Sequence, residues 1–297
     1  MFVVLTSGCT GGNTGPTLGP GVAILNFEPD FSSVESGEEV RLYLQLQNQG
    51  EKPAEDIDIV LAGLDPSEWN PAALGFVCES EGDIVCRINP LNPPSIDYGT
   101  EGETAEMYWT LKAPNLPQGI EQTYSQIIAR VYYNYRTSAT KQITIFDAGE
   151  LRTMVLENKP LPTGKDATFT SGPISVVVIT GKYIKFRSDR NYYFPITITV
   201  NNQGEGTVSG YTINQKIEDF VVGMKITLPN GLSLGDDCDN FEDYYPVTLW
   251  KGKSASTTCN IYINEPPVIA EERTISIDLD YPYYVDRGTS ITVVGMD

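Results

Sequence analysis

The stretch Val40-Arg-Leu-Tyr-Leu-Gln-Leu-Gln-Asn48 alternates apolar and mostly polar side chains and runs into the turn Asn48-Gln-Gly-Glu51. This alternation is typical of a half-buried β-strand, because successive side chains of a strand point to opposite faces of the sheet. The same pattern returns in Ile196-Thr-Ile-Thr-Val-Asn-Asn-Gln-Gly-Glu205, where Asn202 stands 154 residues after Asn48. The chain therefore repeats a unit made of a strand and a turn.

Further matches follow in the same order in both halves of the chain. Residues 102–111, GETAEMYWTL, match residues 252–261, GKSASTTCNI, which places Cys259 at the position of Trp109. Each half then carries a tyrosine-rich segment, VYYNY at 131–135 and LDYPYY at 279–284. Each ends in a short β-branched segment, ITI at 143–145 and ITV at 291–293. We therefore predict two copies of one β-module, with a disulfide in the second copy where an aromatic side chain fills the first core.

The repeated unit resembles a known group of domains. A strand, an Asn-x-Gly-x turn, a small residue and another alternating strand, over residues 40–54 and 196–208, are similar to immunoglobulin-like domains of archaeal and bacterial surface proteins. That group includes S-layer-associated and cell-adhesion-related modules. The resemblance implies an all-β fold of two tandem immunoglobulin-like β-sandwich domains and a structural or adhesive role at the cell surface. We place the domains at residues 22–146 and 172–297, with a linker at 147–171 and one short helix at about 212–221.

The composition limits the function further. The 297 residues include 39 acidic and 20 basic ones, a net charge of −19, which repels nucleic acid and anionic lipid headgroups. The chain has no histidine, so the commonest general base and the commonest zinc ligand are missing. We predict a protein that is not an enzyme, with paired-carboxylate chemistry as the catalytic option that the sequence leaves open.

The N-terminal segment indicates export and anchoring. Ser7-Gly8-Cys9 follows a short apolar stretch and resembles a lipobox, in which the cysteine becomes lipidated. The segment after it is rich in Gly, Pro and Thr and is typical of a flexible spacer. Residues 1–21 are therefore predicted to form a lipidation segment at Cys9 and a tether, which makes the membrane a partner through a lipid anchor. The alternative is an N-terminal tail with an incidental cysteine.

The other four cysteines fall two in each half. Neither pair has a CxxC spacing or a histidine nearby, which argues against zinc. We predict the disulfides Cys78–Cys86 and Cys238–Cys259, which imply an oxidising, extracellular compartment. Four reduced, buried cysteines are the alternative.

Two further clusters are candidates for binding. The carboxylates of a short acidic stretch offer the hard oxygen ligands that calcium prefers, although the stretch does not match an EF-hand loop; they belong to Asp236, Asp237, Asp239, Glu242 and Asp243. A solvated acidic loop is the alternative, and no other cofactor is expected. The tyrosines at 132, 133, 135, 281, 283 and 284 form either a ligand-binding aromatic face or half-buried structural strands.

The sequence thus predicts a surface-anchored, non-catalytic structural or adhesive protein that contacts other surface proteins or copies of itself. One alternative is a subunit of a filament or surface layer assembled by β-strand exchange, with residues 22–27 as the donor strand. The other is an extracytoplasmic ligand-binding protein or hydrolase, which requires a deep pocket with converging carboxylates.

Overall fold

The computed structural model of the chain describes residues 19–69, 72–74, 77–81, 83–161, 165–187, 192–213 and 216–296. The side chains of residues 72–83 and 211–217 lie outside this description. The first part of the chain contains the strands β1 Val22–Pro29, β2 Ser33–Glu35, β3 Glu39–Asn48, β4 Glu55–Ala62, β5 Ala72–Leu74, β6 Val77–Glu81, β7 Asp83–Ile88, β8 Thr104–Lys112 and β9 Glu121–Asp147. The second part contains β10 Thr168–Phe169, β11 Ile174–Ile179, β12 Ile184–Phe186, β13 Tyr193–Asn202, β14 Thr207–Val208, β15 Tyr211–Ile213, β16 Lys216–Glu218, β17 Val221–Thr227, β18 Leu232–Leu234, β19 Tyr245–Thr248, β20 Ser254–Ile263 and β21 Ala270–Val294.

Among the described residues, helical structure is limited to short segments. These are α1 Pro66–Trp69, α2 Ala148–Leu156 and a 3₁₀ turn at Asp239–Glu242. Within the described ranges, no helix has the length and apolar character needed to cross a bilayer. The all-β prediction is confirmed.

Two four-stranded sheets have the same strand order and carry the repeat that the sequence shows. The first has the order β1-β3-β8-β5 and the second the order β11-β13-β20-β18. This order corresponds to strands A, B, E and D of an immunoglobulin-like sandwich. The alternating apolar side chains of β3 and β13, such as Leu42, Leu44, Ile196 and Ile198, point inward and are almost fully buried. We refer to the sandwich built on the first sheet as module 1 and to that built on the second as module 2.

A single central sheet closes both sandwiches. Its strands follow the order β19-β17-β21-β9-β4-β7-β6, and the short strands β10 and β12 pair with β9 while β2 and β14 pair with β21. Strand β9 has 27 residues, which is about 90 Å at about 3.3 Å per residue. That length exceeds what one sandwich accommodates, since strands in globular proteins usually have 3–10 residues. The two long strands β9 and β21 therefore run through both modules.

Each module contributes part of a long strand to the sheet of the other module. The C-terminal part of β9 leaves module 1 and pairs in parallel with β12 of module 2, where Ile145 lies opposite Ile184. The C-terminal part of β21 leaves module 2 and pairs in parallel with β2 of module 1, where Val293 lies opposite Val34. In immunoglobulin-like terms, the F strand of each module continues as the G strand of its neighbour. The two modules are thus joined by a reciprocal strand exchange rather than placed in series.

The exchange has an approximate two-fold axis at its centre. Strands β9 and β21 pair antiparallel from Phe146 opposite Ala270 to Glu121 opposite Val294. Asn134 lies opposite Pro282 near the middle of this ladder, and the two residues stand at the same place in the two tyrosine-rich segments. An axis at this pair maps each long strand onto the other.

Four tyrosines pack around this axis on the buried side of the central sheet. Tyr133, Tyr135, Tyr281 and Tyr283 are each no more than 2% exposed. The ring centroids of Tyr133 and Tyr283 are 5.8 Å apart, and those of Tyr135 and Tyr281 are 6.3 Å apart. Aromatic rings at such separations attract each other beyond the gain from burial. The four rings therefore form a core shared by both modules.

The Asn-x-Gly turn of each repeat lies against one of these tyrosines. The backbone N–H of Lys52 donates to the Tyr135 hydroxyl, and the Tyr283 hydroxyl donates to Asn202 Oδ1 at 2.9 Å. A Cβ atom at Gly50 would overlap the hydroxyl of Tyr135, and one at Gly204 would crowd that of Tyr283. The glycine of the turn is therefore required by the close approach of the tyrosine.

Three sequence expectations differ from the structure. The segment predicted as a linker, residues 147–171, contains helix α2, which is N-capped by Asp147, and strand β10 paired with β9. The helix predicted at 212–221 is wrong, because β15 and β16 are strands that pair antiparallel there. The segment 22–27 is not a free donor strand, because β1 pairs with β3 of the same module on both sides of a register shift at Leu25.

Candidate functional site

The disulfide expected in the second module is present. Cys238 and Cys259 are bonded, with Cα atoms 5.6 Å apart, and both are buried. Cys259 lies opposite Ile196 in the sheet, which is the register position of Trp109 opposite Leu42 in module 1. The crosslink thus occupies the core position that an indole fills in the other copy.

The remaining cysteines are only partly within the described structure. Cys86 is disulfide-bonded and fully buried on β7, and the strand register sets Cys78 directly opposite it on β6. The side chain of Cys78 and the whole of Cys9 lie outside the described residues. The Cys78–Cys86 disulfide and the lipidation of Cys9 stay predictions.

The acidic residues proposed as calcium ligands are exposed, and two of them contact separate side chains. They are Asp236, Asp237, Asp239, Glu242 and Asp243. Asp237 accepts from Asn260 Nδ2 at 3.2 Å, and Asp243 lies 3.8 Å from Lys225 Nζ. Across the ranges that the structure describes, no three Asp, Glu or Cys side chains are grouped so that they hold a metal ion. Calcium binding stays a prediction without support from this arrangement.

The six predicted tyrosines do not form one face. Strand alternation sends four of them into the shared core and leaves Tyr132 and Tyr284 on the opposite side of the central sheet, 5.3 Å apart. The guanidinium of Arg130 lies over the Tyr284 ring at 4.5 Å and pairs with Asp286 at 2.7 Å. The prediction of one binding face made of six tyrosines is therefore wrong, because successive side chains of a strand lie on opposite sides of the sheet.

A cleft of about 380 Å³ on the outer side of the central sheet brings carboxylates together. Among them, Asp280 accepts from Arg136 Nε at 3.1 Å and Asp56 accepts from Asn134 Nδ2 at 2.9 Å. Both carboxylates are thus bound to neighbouring side chains rather than aimed at a free space. This cleft therefore does not offer the pair of free carboxylates that a hydrolase would require.

The most distinctive surface is the outward side of three neighbouring strands of module 2, β11, β13 and β20. We call this surface the neutral face. It consists of Val177, Ile179, Tyr193, Pro195, Thr197, Thr199, Asn201, Ser254, Ser256, Thr258, Asn260 and Tyr262. None of these side chains is charged, in a chain with a net charge of −19.

The equivalent surface of module 1 provides a comparison within the same molecule. The matching register positions on β1, β3 and β8 are Asn26, Glu28, Glu39, Arg41, Tyr43, Gln45, Gln47, Thr104, Glu106, Tyr108, Thr110 and Lys112. Five of these twelve side chains are charged, and all five are replaced by uncharged ones in module 2. Because the fold is the same, packing requirements do not explain the difference.

Hydroxyl groups on the neutral face are held in rows across the strands. Thr197 and Thr258 share a hydrogen bond of 3.0 Å, and Thr199 and Ser256 share one of 3.2 Å. At one end the Tyr193 and Tyr262 rings lie 5.6 Å apart. The edge strand adds Val177 and Ile179, whose side chains are 44% and 60% exposed. The face therefore combines fixed hydroxyl groups, two aromatic rings and an apolar edge.

Sequence reasoning did not single out this face, although the signal was present. The two copies align at Arg41 with Pro195 and at Glu106 with Ser256. Comparing charges at aligned outward positions reveals the neutral face, but only once strand register assigns each position to a side of the sheet.

Comparisons with known proteins add little to this description. No family model and no curated protein matches the chain. A structure titled "The Enterococcus faecalis MSCRAMM ACE binds its ligands by the collagen Hug Model" aligns over 92% of this chain and 95% of its own, at 7% identity and a TM-score of 0.21. The collagen adhesin CNA from S. aureus aligns over 92% of this chain and 93% of its own, at 8% identity and a TM-score of 0.13. Similarities at these TM-scores carry no argument about this chain.

Proposed function

We propose that this protein is a non-catalytic, adhesive cell-surface protein that contacts an uncharged partner through the neutral face. The observation that carries the proposal is the loss of all five charged side chains between two equivalent faces of one molecule. Charged side chains are well tolerated on a sheet face that is exposed to solvent, and they increase the solubility of the protein. Their absence on one face is therefore explained by contact.

The chemistry of the face indicates the class of partner. Its Thr and Ser hydroxyl groups both donate and accept hydrogen bonds, and the rings of Tyr193 and Tyr262 offer flat apolar surfaces with a polar tip. A neutral polysaccharide presents the complementary features, hydroxyl groups at its edges and apolar C–H faces. We propose an uncharged polysaccharide as the partner.

Export and anchoring form part of the same proposal. The Cys238–Cys259 disulfide supports an oxidising compartment, and a lipid on Cys9 would hold the modules at the membrane. Intact mass measured on natively produced protein under non-reducing conditions tests this. We expect a species that begins at Cys9 with a lipid adduct and two disulfides. A chain that begins at Met1 with free thiols would contradict it.

The alternative functions receive no comparable support. Strand β1, the expected donor, pairs with β3 of its own module from Val22 to Pro29, apart from a register shift at Leu25. The cleft carboxylates Asp56 and Asp280 are bound to neighbouring side chains. Neither a strand-exchange filament nor a hydrolase is therefore favoured.

A matched pair of variants tests the adhesive role. Thr199→Lys puts a charge in the centre of the neutral face, and Gln45→Lys puts the same charge at the equivalent position of module 1. In a co-sedimentation assay with insoluble neutral polysaccharides, we expect the wild type and Gln45→Lys to sediment equally and Thr199→Lys to lose at least about tenfold in affinity, because a buried lysine without a partner is costly. Equal sedimentation of both variants, or retention only on anionic polymers, would refute the proposal.

A further inference from the structure

Strand β11 leaves one side without a partner at the border of the neutral face. It pairs with β13 from Ile174 opposite Asn202 to Ile179 opposite Thr197. No other strand in the described part of the chain pairs with its second side, and the hydrogen bonds found there involve only its first residue, Ile174, whose carbonyl accepts from Thr137 Oγ1 at 3.1 Å. The backbone groups of the following residues thus form an open sheet edge.

The sequence of β11 lacks every feature that normally protects such an edge. Its six residues, Ile174-Ser-Val-Val-Val-Ile179, contain no charge, proline or glycine, and it has no bulge in its pairing. Protein edge strands are usually blunted by charges, prolines, bulges or covering groups, because an open edge accepts another strand. Short, uncharged, β-branched segments are those that pair most readily with other chains.

The equivalent edge strand of module 1 shows the protection that β11 lacks. At the positions of Val177 and Ile179, strand β1 carries Asn26 and Glu28, which are hydrogen-bonded to each other at 2.7 Å. A register shift interrupts β1 between Ile24 and Asn26. The guanidinium of Arg287 donates to the carbonyls of Ile24 and Leu25 at 2.8 and 3.0 Å. Two edges of the same fold in one chain thus differ in bulge, charge and cover.

We propose that β11 is a dimerisation edge, at which two copies of this chain pair antiparallel about a two-fold axis. A second copy is the occupant because its own β11 supplies an extended, uncharged and equally exposed strand, which a two-fold axis makes self-complementary. Two chains of −19 repel each other over most of their surfaces. Strand β11 and the neutral face beside it allow approach without like charges in contact.

The pairing register follows from the side-chain alternation. When β11 pairs with β11 of a second copy, outward side chains must lie opposite outward ones and inward side chains opposite inward ones, because a shift of one residue would exchange the two sides of the sheet. A register with Val177 opposite Val177 satisfies this condition, and it sets Ser175 opposite Ile179 of the other copy. The two four-stranded sheets then become one eight-stranded sheet, and the two neutral faces become one continuous surface.

The test measures the mass in solution of the full chain carrying Cys9→Ser, so that neither a lipid nor a free thiol causes association. We expect analytical ultracentrifugation to show a monomer–dimer equilibrium with a dissociation constant below about 1 mM. Val177→Lys places two like charges opposite each other at the axis and is expected to raise the dissociation constant at least about tenfold. Ile179→Lys serves as a second variant, and Asn26→Lys on the equivalent strand of module 1 is the matched control.

Each outcome decides the proposal. Circular dichroism first establishes that the variants keep the wild-type strand content, which we expect because both substituted side chains are exposed. A monomer at all concentrations up to about 1 mM overturns the proposal. A dimer that both lysine variants preserve, or that Asn26→Lys disrupts equally, also overturns it. The result is independent of the polysaccharide assay, since Thr199→Lys leaves β11 unchanged.

Discussion

The reciprocal exchange predicts that module 1 does not fold by itself. A fragment of residues 19–147 keeps its A, B, E, D, C and F strands but loses the G strand, which the C-terminal part of β21 provides. In the whole protein, Tyr283, Ile291 and Val293 of that part are each no more than 1% exposed.

The size of the expected loss follows from these three side chains. Fully burying a large apolar side chain contributes about 1.5–3 kcal/mol, so the three contribute roughly 5–9 kcal/mol. The free energy of unfolding of a whole domain is about 5–15 kcal/mol. The fragment therefore loses most of its stability.

Urea unfolding followed by circular dichroism checks this prediction. We expect the fragment alone to show no cooperative transition as a monomer, and we expect a synthetic peptide of residues 283–296 to restore one. A peptide carrying Ile291→Asp and Val293→Asp is the control and is expected to have no effect, because carboxylates cannot enter the core unpaired. A fragment that unfolds cooperatively as a monomer, with the stability of the whole chain, would refute the exchange.

Two further predictions concern the shared tyrosine core. Burial raises the pKa of Tyr135 and of Tyr283 to about 12, from 10.0 in the unfolded chain. These tyrosines therefore lose their protons at lower pH in the unfolded state than in the folded state. Their contribution to the free energy of unfolding is fully present below pH 10 and falls between pH 10 and 12 by about 3 kcal/mol for each tyrosine. Thermal melting at a series of pH values measures this, and an unchanged melting temperature up to pH 12 would contradict it. Gly50→Ala is expected to lower the free energy of unfolding by about 1–3 kcal/mol, because the new Cβ overlaps the Tyr135 hydroxyl. Urea titration measures it, with Gly288→Ala as the control, whose Cβ would have its nearest neighbour at 3.7 Å; equal stabilities of the two variants would show that the overlap is absent.

Much of the architecture was readable from the sequence because it depends on local periodicity. The alternation from Val40 to Leu46 and from Ile196 to Val200 identified one of the two central strands of each four-stranded sheet and its buried side. The alignment of Trp109 with Cys259 located the same core position in both modules. These features depend on residues close in the chain, so the sequence alone determined them.

The partner of each long strand was decided only by the tertiary structure. The segments 143–145 and 291–293 were recognised as strands, but a period of two is the same whether a strand pairs within its own module or with the neighbour. One local signal favours the exchange: the stretch Tyr135-Arg-Thr-Ser-Ala-Thr-Lys-Gln142 contains no Gly, Pro, Asn or Asp, and Ser138 is its one residue of a type common in turns. In β21, Gly288 follows Asp286, yet the strand continues because β9 provides a partner along its whole length.

The neutral face shows the same division. Every residue type on it is visible in the sequence, and so is the loss of charge relative to the first copy. Which residues share a side of a sheet, however, depends on register between strands such as β13 and β20, which are about 60 residues apart. The sequence therefore determined the strands and their repeat, while the pairing of distant strands determined where the modules join and which surface is free of charge.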